Sequence, residues 1–188
     1  ERRAANPHHT GQEEYNWFLA VLFPAHQLQV LAYNRLVRDL NGLDAGAFLK
    51  EVRQRFQVTE QAASRPSAPG SVSMYLGGAW YGLKTQAPAD ADPVSALDVS
   101  VLQDRLLAPV LGIADPRNNS RMDYLGGFTS VEELRKRVDA GQAAVGFSVH
   151  PTTVDQLMAI SDAGQIMPPK STWFEPKLRS GLFVHLLD

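Results

Sequence analysis

Cysteine is absent from the 188 residues. Disulfides, zinc–thiolate centres and iron–sulfur clusters are thereby excluded, and a reducing, cytoplasmic setting is expected. No apolar run approaches the ~20 residues needed to span a bilayer. Glu1-Arg2-Arg3 leads into polar sequence rather than the apolar stretch of a signal peptide. A dominant charge is missing too, because 18 basic and 20 acidic residues leave a formal net charge of -2. Such a balance offers no electrostatic footprint for nucleic acid or for an acidic membrane, so neither is expected as a partner. The chain has no initiator Met, and a processed or excised piece of a longer protein is expected. Also absent are a Walker-type Gly-rich loop, a Gly-x-Ser-x-Gly elbow and a Gly-x-Gly-x-x-Gly turn.

What is present reads as one globular domain over residues 1–188, long enough for one sizeable core. Asn16 to Phe23 is a nearly continuous apolar run ended by Pro24, which predicts a strand covered on both faces, pairing with Gln29–Tyr33 as a hairpin. Asp44 is a natural N-cap before Phe48, Leu49, Val52 and Phe56, which recur at helical spacing. Ser71–Leu76 and Ala79–Leu83 flank Gly77-Gly78, a dipeptide that tolerates the positive φ of a tight hairpin. Val99, Leu102, Leu106 and Val110 form a helical stripe that stops near Pro109 and Gly112. A short strand is expected at Arg121–Leu125. Ser130 and Glu133 have the spacing of a capping box, which opens a helix with Val131, Leu134 and Val138 inward. Another strand is expected over Ala143–Val149, then a helix from Thr152 or Thr153 with Val154, Leu157, Met158 and Ile160 on one side, closed by Gly164. Leu182–Leu187 reads as a terminal strand. The order predicts an α+β fold, a mixed and largely antiparallel sheet with packed helices.

One stretch fits none of these periods. Met167 to Leu182 holds three prolines, the pair Trp173-Phe174 and the donors Lys170, Ser171, Thr172, Lys177 and Arg179. Prolines fix φ and withhold backbone donors, so a rigid, irregular loop is expected. Fixed cations beside two hydroxyls suit a phosphate or carboxylate. The same pattern also serves as a plain cover for a core edge. Elsewhere, His8-His9 with Glu13 and Glu14 is the nearest approach to a metal cluster, but Pro7 and Gly11 oppose a continuous helix and the expectation is a polar arm without metal. His26, His150 and His185 are isolated. Asp98 opens a helix, where capping competes with catalysis, and Arg35 and Arg38 beside Asp39 can clamp an anion or stand as a solvated face.

Met167-Pro168-Pro169-Lys170-Ser171-Thr172-Trp173-Phe174-Glu175-Pro176-Lys177 closely resembles the C-terminal signature of the bacterial and archaeal family of unknown function DUF1015. Tyr33-Asn34-Arg35-Leu36-Val37 stands where that family usually reads Tyr-His-Arg-Leu-Val, Leu97-Asp98-Val99 matches its Leu-Asp-Val segment, and Gly164 and Gly181 fall in place. Full-length members carry an Asp-Gly-His-His-Arg motif similar to motifs of the ParB/sulfiredoxin-like group, which includes nucleotide-using free-serine kinases. His8-His9, between Asn6-Pro7 and Thr10-Gly11, is not that motif, so the resemblance implies the C-terminal part of a longer protein. Asn34 in place of His removes one titratable group.

Two functions compete. In the first, a phosphotransferase-like enzyme binds a nucleotide, with magnesium, or a phosphorylated small molecule. Lys170, Ser171, Thr172, Lys177, Arg179, Arg35 and Asp98 are the candidate ligand-binding residues, and no catalytic residue is assigned. In the second, the Pro-aromatic loop closes the core of a non-catalytic scaffold or the interface of a homodimer.

Overall fold

The computed structural model describes residues 1–187, Ala25 by its backbone alone. Two units are distinguished, Glu1–Gln29 with Phe174–Asp188, and Val30–Trp173. The strands are β1 (Gln29–Leu31), β2 (Tyr33–Val37), β3 (Gln57–Glu60), β4 (Ser71–Leu76), β5 (Ala79–Lys84), β6 (Met122–Gly126), β7 (Val145–Val149) and β8 (Trp173–Glu175). The helices are α1 (Arg2–Ala5), α2 (Ala45–Arg55), α3 (Asp98–Leu102), α4 (Ser130–Asp139) and α5 (Val154–Asp162), and α3 runs on into a π-helical segment, Gln103–Leu107.

Six strands of the larger unit form one sheet in the order β3-β5-β4-β7-β2-β6. Every pairing in it is antiparallel, so the α+β class holds and the largely antiparallel sheet is wholly so. β1 and β8 make a separate two-stranded sheet. Alternation along the strands explains why helices cover both faces. Val37, Val72, Met74, Leu76, Val145, Phe147 and Val149 point into one apolar layer with Phe48 and Val52 of α2 and Leu102 and Leu106 of the α3 region. Leu36, Tyr75 and Leu125 point into the other, against Leu134 of α4. Each such side chain withdrawn from water contributes about 1.5–3 kcal/mol. Gly146 is required beneath α4, because a Cβ there would lie 2.4 Å from Leu134 Cδ2.

Local signals account for most boundaries. Asp44 caps α2 by accepting from the Ala47 amide at 2.7 Å, and Gly77-Gly78 turns the β4–β5 hairpin at φ of 57° and 83°. α5 carries the full Thr153–Gln156 capping box, although of its expected stripe only Ile160 is buried, while Val154 and Met158 face out. Ser130 does not open a capping box. Its hydroxyl is buried, donates to Gly127 O at 2.7 Å and accepts from Asn34 Nδ2 at 3.0 Å, because a buried amide offers it a partner that an exposed cap lacks.

Two strand expectations fail in the smaller unit. Trp17 to Phe23 is irregular and exposed, Phe18 by 85% and Leu22 by 93%, and Leu182–Leu187 is likewise outside any strand. Apolar content alone does not make a strand without a neighbour to pair with, and of the expected hairpin of Asn16–Phe23 with Gln29–Tyr33 only the second arm forms a strand, β1 over Gln29–Leu31. Among the described residues no helix is long and apolar enough to cross a membrane.

Candidate functional site

β2 presents Tyr33, Arg35 and Val37 to one side of the sheet and Asn34 and Leu36 to the other. Arg35 is 4% exposed. Its Nη1 donates to Tyr33 O at 2.9 Å, and its guanidinium carbon lies 5.7 Å from the ring centroid of Tyr124, the residue opposite it on β6. Arg35 has no ion pair among the described residues. Burial therefore acts on the cation almost unopposed and lowers its pKa to about 10, with the Tyr124 oxygen as the one opposing influence. Burial likewise raises the Tyr124 phenol above its ordinary value, with Arg35 opposing.

A cavity of about 250 Å³ opens beside this cation, walled by Ser95, Ser100, Gln103, Tyr124 and Pro168 among others. Ser100 sits on α3 in the middle of an apolar stripe, and its Oγ, fully buried, has no hydrogen-bond partner among the described residues. A buried hydroxyl without a partner costs about 1–3 kcal/mol, which a polar ligand relieves. Gln103, where the helix widens to a π turn, is held by its Nε2 donating to Ile113 O at 2.7 Å. Asp104 brings an exposed carboxylate to the wall. The wall here joins a fixed cation, one unpartnered hydroxyl and apolar surface, which suits an anionic group on a small organic ligand.

The proline-rich loop supplies part of this wall through Pro168 and Pro169. Lys170 follows in a left-handed conformation, φ 57°, exposed, with Nζ 5.3 Å from the ring centroid of Tyr33. Ser171 is buried and its hydroxyl is used within the loop, donating to Pro168 O at 2.6 Å, while its carbonyl accepts from Thr152 Oγ1 at 3.2 Å. Thr172 is half-buried. Trp173 meets the Tyr33 ring edge-on at 5.3 Å and packs against Gly126, where a Cβ would come within 2.0 Å of its Cε3. Lys177 and Arg179 are exposed and belong to the other unit.

Asp98 lies outside the cavity wall and does not cap its own helix. Its carboxylate accepts from the Gly70 amide at 3.0 Å and from Thr85 Oγ1, tying the segment before β4 to the end of β5. Burial raises its pKa, against the opposing pull of the Thr85 and Gly70 hydrogen bonds and of His150. A separate void of about 10 Å³ between Asp98, His150 and Thr152 has room for one water. Ser100 and Tyr124, which complete the Arg35 cavity, were not singled out from the sequence. The signal for Ser100 was a hydroxyl inside the apolar run Val99–Leu102. For Tyr124 it was an aromatic at alternate spacing from Met122 on a short strand.

Among the described residues no three His, Asp or Glu side chains converge as a metal centre requires. No curated protein is significantly similar in sequence. Among solved structures, a free serine kinase in complex with AMP aligns at 11% identity with a TM-score of 0.49, over 80% of this chain and 55% of that one. A conserved hypothetical protein from Pyrococcus furiosus aligns at 11% identity and 0.49, over 79% and 56%. SbnI with a C-terminal truncation, from Staphylococcus aureus, aligns at 14% and 0.47, over 87% and 55%. The chain thus spans little more than half the length of these structures. The family described as "Protein of unknown function (DUF1015)" matches over residues 1–100.

Proposed function

The chain belongs to the DUF1015 family, and from that premise we propose that its larger unit holds the anion of a phosphorylated small molecule or nucleotide, as part of a phosphotransferase-like enzyme. The observation that carries this reading is Arg35, a cation buried without an ion-pair partner among the described residues at the wall of a cavity also lined by Ser100, whose buried hydroxyl has no hydrogen-bond partner among them. A buried unpaired cation is costly to a fold, and a pocket in which a ligand neutralises it gives the cost a purpose. Arg35 would hold the anion, Ser100 would hydrogen-bond it, and Pro168-Pro169 would fix the wall. Lys170 would leave the Tyr33 ring to add a second cation. Thr172 follows it in the same loop, whereas Ser171 keeps that loop's shape and Asp98 anchors the neighbouring strands. Lys177 and Arg179 are not needed for this pocket.

At about 250 Å³ the cavity is smaller than the usual range for drug-sized ligands, so it suits the phosphate-bearing end of a ligand rather than a whole nucleotide. Magnesium arriving with a nucleotide would be held by phosphate oxygens and water, with Asp104 as the carboxylate at hand.

The test is a thermal-shift panel with ATP, ADP, pyrophosphate, free serine and phosphoserine, each with and without magnesium. A ligand at 100 times its dissociation constant adds about 2.7 kcal/mol, enough to move the midpoint by several degrees. A shift with a phosphorylated compound that Arg35→Met abolishes supports the pocket. No shift with any of them, or an equal shift in Arg35→Met, would sink it.

The exposed run from Trp17 to Phe23 favours a second reading, in which the smaller unit pairs with a second copy of the chain. Native mass across a dilution series decides this. A dimer that Phe18→Ser dissociates supports it, and a monomer at all concentrations refutes it.

A further inference from the structure

On the opposite face of the sheet from Arg35, a second cavity of about 140 Å³ is walled by Asn34, Ser130, Ser148, Gly127, Arg65 and His150 among others. Its floor is built rather than incidental. Asn34, 1% exposed, is fixed from both ends of its amide: Oδ1 accepts from the Val149 amide at 3.1 Å and Nδ2 donates to Ser130 Oγ at 3.0 Å. That leaves the second Nδ2 hydrogen of Asn34 without a protein acceptor among the described residues. Ser148 is also 1% exposed, and its hydroxyl has no hydrogen-bond partner among the described residues. At the rim, Arg65 Nη2 donates to Phe128 O at 3.0 Å and to Glu132 at 3.1 Å, which holds the guanidinium in place with further donors unspent.

The first turn of α4, a helix of 10 residues, forms another wall through Ser130 and Val131. Of its leading amides, that of Ser130 donates to Gly127 O at 3.4 Å and that of Glu132 to its own carboxylate, which leaves the Val131 amide to a ligand, and the helix dipole adds partial positive charge at that end. Donors therefore converge from three sides, with the Glu132 carboxylate facing Arg65 as the opposing charge. The volume is too small for a nucleotide and ample for a single oxyanion.

We propose that this cavity is a second binding site, separate from the Arg35 pocket, for one small oxyanion of phosphate or carboxylate size. Ser148 and the free hydrogen of Asn34 donate from the floor, the Val131 amide donates from the side, and Arg65 closes the rim. Adjacent residues of one strand, Asn34 and Arg35, thus serve the two cavities on opposite faces of the sheet.

The test is an amide NMR titration of the whole chain with inorganic phosphate, repeated with acetate and with sodium chloride at matched ionic strength. Saturable shifts of Gly127, Ser130 and Val131 are expected with phosphate or acetate and not with chloride, and the more effective of the two names the ligand class. Ser148→Ala should weaken binding by about tenfold, as expected for losing a hydrogen bond to a charged group. Arg65→Gln, a change at an exposed rim that leaves the core untouched, should weaken it by at least several-fold, whereas Arg35→Met should leave these shifts unchanged. Titration indistinguishable from chloride at these amides overturns the proposal. So does equal binding in wild type, Ser148→Ala and Arg65→Gln, or a response that Arg35→Met removes. Because the Arg35 pocket is read by separate amides and by the Arg35→Met control, the failure of one site is not mistaken for failure of the other.

Discussion

Arg35 and Tyr124 face each other across β2 and β6, the guanidinium carbon 5.7 Å from the ring centroid, with no ion pair to Arg35 among the described residues. An aromatic face offsets part of the desolvation of a cation but not the whole, which is why the guanidinium pKa falls to about 10. Replacing Arg35 with Met keeps the length of the side chain and removes the buried charge. Without ligand, Arg35→Met is expected to stabilise the fold by about 1 kcal/mol, as replacement of buried charge by apolar packing often does. Chemical denaturation with an unchanged m-value measures it. A loss of stability greater than about 2 kcal/mol would instead make Arg35 a structural residue.

Only the Arg35 half of this relationship was legible beforehand, and the reasons why other parts of the fold could or could not be read differ from element to element. Arg35 was picked out beside Arg38, as a clamp that a helix would allow or as a solvated face; neither holds, because residues 33–37 form a strand and Arg35 is buried while Arg38 is exposed. α2 could be read because Asp44, Phe48 and Val52 combine a cap with a period of 3.6. The β4–β5 hairpin could be read because only glycines accept its turn without strain. Asn16 to Phe23 misled, since apolar density says nothing of whether a partner strand is available. Ser100 and Ser148 could not be ranked above other serines, because an unsatisfied hydroxyl is a property of three-dimensional surroundings that no spacing encodes.

Trp173 rests on Gly126 so closely that a methyl group there would meet Cε3 at 2.0 Å and Cζ3 at 2.6 Å. Both atoms belong to a rigid ring, so relaxation must move the loop or the strand. Gly126→Ala is expected to destabilise by about 1–3 kcal/mol, the usual cost of overpacking. In a Trp173→Leu background the added cost of Gly126→Ala should fall below about 0.5 kcal/mol, because the clash has been removed. Thermal denaturation of the four proteins of the cycle checks this, and additive effects would show that Trp173 is not the obstacle.

Asp98 gives a pH dependence whose sign is opposite to the usual carboxylate. Burial is the main influence on it and raises its pKa above 3.8, despite the hydrogen bonds from Thr85 and Gly70 and the nearby His150. A group that binds its proton more tightly when folded favours the folded state at low pH, and that advantage is lost as pH rises through the interval between 3.8 and the raised value. Asp98→Asn cannot ionise, so its melting midpoint relative to wild type should be less unfavourable at pH 7 than at pH 4. A difference that is constant with pH would show that Asp98 ionises alike in both states.

Lys170 occupies a left-handed backbone position, φ 57°, with its ammonium 5.3 Å from the ring centroid of Tyr33. For a residue with a Cβ that conformation costs roughly 1–2 kcal/mol, and glycine adopts it freely. An exposed cation–π contact returns about 0.5–1 kcal/mol. The two terms nearly cancel, so Lys170→Gly is expected to leave the melting midpoint within a few degrees of wild type. Affinity for a phosphorylated ligand tells a different story. If Lys170 leaves Tyr33 to join the Arg35 pocket, Lys170→Gly should weaken binding by about tenfold or more, since a hydrogen bond to a charged group contributes ~1.5–3 kcal/mol. Calorimetric titration of wild type, Lys170→Gly and Lys170→Arg separates the cases: loss in the glycine variant with recovery in the arginine variant puts a cation from this loop in the pocket. Equal affinity in all three would leave Lys170 as a cover for the Tyr33 ring, and the anion to Arg35 alone.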